Sequence, residues 1–125
     1  MPARLRIASP DDVAAALARV AAAIDGAEDP PRADLRLLTK HYLALLEAIA
    51  PGKSVEVRVP PYAAVQVVEG VRHTRGTPPA VIETDAATWI ALATGDLTWP
   101  EAVAAGTVRA SGERTDLSAY LPLGK

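Results

Sequence analysis

Apolar residues up to Ala50 recur at helical intervals. Val13, Leu17, Val20 and Ile24 are spaced four, three and four apart, which lays one stripe along a helix. Ser9-Pro10-Asp11-Asp12 starts it: the Ser9 hydroxyl is placed to accept from the Asp12 backbone, Pro10 suits the first helical position, and the acids sit at the positive end of the helix dipole. Gly26 ends it, and Glu28 to Pro31 form a polar connection. A second helix is predicted from about Ala33 to Ala50, with Leu35, Leu38, Tyr42, Leu45 and Ile49 as its stripe and Leu46 widening it. Pro51-Gly52 stops that helix. The stripes are too short for a coiled-coil seam, so they predict contacts within one core.

The period then drops to two. Val55, Val57 and Val59 face one way and Glu56 and Arg58 the other, as in a half-buried strand. Pro60-Pro61 turns the chain into a second strand, Tyr62 to Glu69, with Val65 and Val67 on one face; the short connection predicts an antiparallel hairpin. A polar loop, VRHTRGTPP, leads to a third strand at Ala80 to Thr84. Asp85 caps a helix that ends at Gly95, and Thr98-Trp99-Pro100-Glu101 is a capping box for a helix ending at Gly106. Thr107 to Ala110 predicts a strand, Ser111-Gly112 a turn, and Asp116 the start of a last helix that Pro122 stops. Strands grouped between helices predict an α+β domain: a mainly antiparallel sheet with helices covering one face.

Length and composition narrow the classes. At 125 residues one domain is expected, with residues 1–8 ahead of the first helix flexible. The chain is 50% apolar, yet no apolar run approaches the roughly 18 residues of a membrane span. Arg4 and Arg6 are followed by no apolar leader core, so a cytoplasmic location is expected. The absence of Cys excludes disulfides and thiolate chemistry, and a net charge of −2 offers no footprint for nucleic acid. With no Phe, core volume falls to Leu, Val, Ile and Ala, and Trp89, Trp99, Tyr42, Tyr62 and Tyr120 fill disproportionate space.

The punctuation from Thr84 to Leu123 resembles the sterol carrier protein 2 family. The residues that carry the likeness are Leu92-Ala93-Thr94-Gly95, Leu97 and Pro100, Ala105-Gly106, Val108 with Ser111-Gly112, and Leu117 with Leu121. A closer likeness is to small actinobacterial proteins of that type, through Ser54–Pro61, Val68–Pro79, Glu83–Trp89 and Asp116–Leu123. The resemblance implies a non-catalytic carrier of a fatty-acyl, lipid or sterol-like molecule, with no cofactor and no metal. Its ligand would lie in an apolar tunnel between the sheet and the C-terminal helices. The lack of Phe, and Val103 where the family's short helix often carries aromatics, argue against a sterol.

The tunnel candidates implied are Trp89, Leu92, Leu97, Trp99, Val103, Leu117, Tyr120 and Leu121, with Val65, Val67 and Val81 as a sheet floor; the alternative is ordinary core. Arg72, His73 and Arg75 suit an anionic headgroup, against a solvated loop paired with Glu69, Glu83 or Asp85. His41 reads as a partly exposed helical histidine rather than a proton-transfer group, and with only His41 and His73 present no His-rich metal site can be built. A second resemblance, to the C-terminal domain of mycothiol-dependent maleylpyruvate isomerases, implies instead an accessory domain that docks on a protein partner.

Overall fold

The computed structural model describes residues 5–70, 80–111 and 116–124. Its order is α1 (Pro10–Asp25), α2 (Arg32–Ile49), β1 (Val55–Val59), β2 (Ala63–Val67), β3 (Ala80–Thr84), α3 (Ala86–Thr94), α4 (Trp99–Ala105) and β4 (Val108–Ser111). This is an α+β fold. α1 begins as its sequence requires: the Ser9 hydroxyl accepts from the Asp12 N–H at 3.2 Å. Its apolar face lies against α2 through Val13, Ala16 and Val20. Arg19 ties the two helices by a fork to Asp34, with Nε and Nη2 donating at 2.8 and 2.9 Å. That fork, made first by hydrogen bonding, holds the Asp34 carboxyl below its ordinary range.

The sheet order is β2-β1-β3-β4. β1 pairs antiparallel with β2 and parallel with β3, and β3 pairs antiparallel with β4. The sheet is therefore mixed, and the third strand joins β1 rather than extending a meander. β1 is the reason: Val55, Val57 and Val59 are fully buried, so it takes the central position with a neighbour on each side. A parallel neighbour cannot be reached by a tight turn, and the chain supplies the β1–β2 hairpin and the stretch 68–79 before β3 begins.

One face of the sheet, carrying Val57, Val65, Val67 and Ile82, joins Leu38, Tyr42, Leu43 and Leu46 of α2 and Trp89, Leu92 and Ala93 of α3 in a contiguous core. The other face carries Glu56, Arg58, Gln66, Val81 and Glu83, none of them buried. Where α2 hands over to β1, Gly52 passes so close to the second strand's exit that a Cβ on it would fall 2.2 Å from the Val68 carbonyl carbon.

The helix expected from Asp116 does not form. Asp116 Oδ1 accepts from the Ser118 N–H at 2.8 Å, which closes a turn two residues on instead of capping a helix three residues on. Pro122 then disfavours helical backbone at Leu121. The segment is a turn at 118–120 followed by irregular chain that bends at Pro122, and Leu123 N–H donates to the Ala93 carbonyl at 2.8 Å.

Candidate functional site

The sequence expectation places a ligand between the sheet and the C-terminal helices. Among the described residues that space is occupied by side chains. Trp89, Leu92 and Leu117 are each 1% exposed and Val67 is fully buried. Trp89 also spends its polar atom there, donating from Nε1 to the Thr39 carbonyl at 3.3 Å. Among the described residues no open tunnel is seen there. What stays concave is a groove at one end of that space.

Three short pieces of chain form that groove. α3 ends at Gly95, whose φ of 90° lies in the left-handed region that glycine adopts without strain. Three residues later the chain enters α4 through the expected capping box: Thr98 Oγ1 accepts from the Glu101 N–H at 3.3 Å and Glu101 Oε1 accepts from the Thr98 N–H at 2.9 Å. These bonds also hold the Glu101 carboxyl below its ordinary range. The C-terminal segment returns across both elements, close enough that a Cβ on Gly95 would touch Pro122 at 3.5 Å. Between them lies a groove of about 220 Å³, lined by Leu92, Leu97, Trp99, Pro100, Leu121 and Pro122, with Gly95, Thr98 and Ser118 at its edges. No charged side chain lines it, and the Thr98 N–H and hydroxyl are already engaged with Glu101. Such a surface recognises by apolar area and shape.

The other expected residues fall elsewhere. Val65 and Val67 are buried on the inner sheet face, and Leu117 and Trp89 in the core. Tyr120 is half-buried against that core. Val81 does not join them: strand alternation that buries Ile82 sends Val81 to the opposite face. Val103 is 51% exposed, because α4 buries Trp99 and Ala102, and the next position lies about 100° further round the helix. Arg72, His73 and Arg75 lie outside the described residues.

One residue has an environment that its sequence reading missed. His41 is only 7% exposed, and its Nδ1 accepts from the Ala8 N–H at 2.9 Å. Burial pushes the imidazole below its usual range, so it is neutral at pH 7. The signal was present: position 41 lies three residues after Leu38 and four before Leu45, on the edge of the α2 stripe. Among the described residues no group of three or more His, Asp or Glu side chains is arranged to hold a metal ion. Nor is any described helix long and apolar enough to cross a membrane.

A small α+β unit with a one-sided helical cover and an uncharged groove beside its C-terminal segment defines a class of protein suited to apolar contact. The sequence model of a family described as bacterial SCP ortholog matches residues 31–123, from the threshold of α2 to the end of the groove, and the chain belongs to that family. A search of curated proteins finds no match.

Proposed function

We propose that this protein binds and carries an apolar or amphipathic small molecule without catalysing its conversion. Its apolar part would lie in the groove between α3, α4 and the C-terminal segment. The observation that carries this reading is a convergence: Leu92, Leu97, Trp99 and Leu121, assigned to an apolar ligand from the family likeness, line one concave, uncharged surface. Membership of a carrier-like family supports it.

The size of the groove limits the reading. At about 220 Å³ it lies below the roughly 300–1,000 Å³ of sites that enclose a whole ligand, so it takes part of a chain. Burying about six methylene groups at about 0.8 kcal/mol each gives about 5 kcal/mol, equivalent to a dissociation constant of roughly 0.2 mM. The cost of ordering the ligand makes this an upper bound on affinity. Discrimination between aliphatic chains would be weak, since a methylene more or less changes little in an apolar wall.

Native mass spectrometry of protein purified without detergent, combined with displacement of a fluorescent fatty acid by decanoate, tests the proposal. One apolar ligand per chain, displaced by decanoate and weakened at least tenfold by Leu121→Asp, is expected. Absence of any bound apolar molecule in both measurements would overturn it, and a stoichiometric protein partner without lipid would favour the docking role instead.

A further inference from the structure

A second concavity lies between α1 and α2, and half of it is built from chain that precedes the family match at residue 31. It occupies about 370 Å³ between the N-terminal segment (Ile7, Ala8), α1 (Val13, Leu17), α2 (His41, Tyr42) and Leu123. Unlike the C-terminal groove, it falls within the usual volume of a small-molecule site. Its wall is almost wholly aliphatic, and no residue lining it carries a charge at neutral pH.

Two polar side chains are set into that wall. His41 is 7% exposed and Tyr42 2%. The rings meet edge to face with centroids 4.8 Å apart. Because the His41 Nδ1 accepts from the Ala8 N–H, the neutral ring carries its proton on Nε2. That Nε2–H donates to no described residue, and neither does the Tyr42 hydroxyl. Neither atom is fully enclosed, so a ligand acceptor in the pocket can take the place of water on either donor. A carboxylate would lose its hydration here with no cation lining the pocket to replace it, so a neutral acceptor is selected.

We propose that this pocket is a separate ligand site for a neutral amphipathic molecule. Its carbonyl or hydroxyl oxygen accepts from the His41 Nε2–H, and its aliphatic chain lies along Val13, Leu17 and Leu45. The site does not depend on the C-terminal groove, because the two share no lining residue.

The test is an NMR titration of the intact protein at pH 7.5 with 2-nonanone and, separately, nonanoate. It follows the methyl signals of Ile7, Leu17 and Leu123, the His41 ring, and the Trp99 indole as a reporter of the other groove. 2-Nonanone should give saturable shifts at the first set and bind at least fivefold more tightly than nonanoate. His41→Asn keeps an acceptor near the Nδ1 position for the Ala8 N–H but removes the Nε2 donor. It should weaken 2-nonanone about tenfold. Ala14→Trp fills the pocket from an exposed helical position and should abolish those shifts. If His41→Asn fails to fold, Ala14→Trp and the ketone-to-carboxylate comparison decide. Shifts confined to Trp99, equal binding by His41→Asn, persistence in Ala14→Trp, or tighter binding of nonanoate would each overturn the proposal.

Discussion

His41 is where a single side chain links the folded state to solution conditions. Its imidazole is buried and neutral, with Nδ1 occupied by the Ala8 N–H. Protonation would place charge in an uncharged pocket and turn that acceptor into a donor facing another donor. Below about pH 6.5, the ordinary histidine value, the unfolded chain takes up a proton that the folded chain resists. Stability is therefore full above that value and falls as the pH drops toward the lower folded-state value. Asp34, whose carboxyl is held below its ordinary range, contributes its own loss only at more acidic pH. Urea midpoints between pH 8 and pH 5 should decline for the natural protein and stay flatter for His41→Asn; parallel profiles would contradict this. Trp89 is the complementary case, a large residue that is almost wholly packing. Trp89→Ala should cost about 3–5 kcal/mol by urea denaturation, and a loss under about 1 kcal/mol would mean the core between sheet and helices is looser than described. The Trp89 role followed from its size in a chain without Phe; the burial of His41 was marked only by its place at the edge of the α2 stripe, and the fold-back of residues 5–8 over it leaves no periodic trace.

At the scale of elements, what the sequence makes legible is local chemistry. Ser9, Asp85 and Thr98 each cap the helix that follows them, and Gly95 and Gly106 end helices in the left-handed conformation. Thr98→Ala removes one half of a reciprocal box and should cost about 1 kcal/mol. Because α4 carries Trp99 into the groove, the same variant should broaden the Trp99 indole signal; an unchanged melting temperature and spectrum would show that packing alone holds α4. The misjudged elements depended on partners distant in sequence. Asp116 offers the same capping chemistry as Asp85, but its carboxylate closes on Ser118, and Pro122 disfavours helical backbone at Leu121. The sheet is mainly antiparallel as expected, with the one parallel pairing, β1 with β3, between two antiparallel ones. Val81 and Val103 were assigned by likeness, and strand alternation and helical rotation turn both away from the groove.

At the scale of the molecule, the described residues show a core filled by side chains and, beside it, the C-terminal groove and the pocket between α1 and α2. The C-terminal groove gathers Leu92, Leu97, Trp99 and Leu121 but does not include Trp89. That difference provides an internal control, since both tryptophan indoles can be followed in one spectrum. The measurement that tests the carrier reading most directly is a ¹H–¹⁵N titration with decanoate. The Trp99 indole should shift saturably with a midpoint near or above roughly 0.2 mM, while the Trp89 indole, donating to the Thr39 carbonyl, should stay in place. A Trp99 indole that does not respond at millimolar decanoate would contradict ligand carriage in this groove.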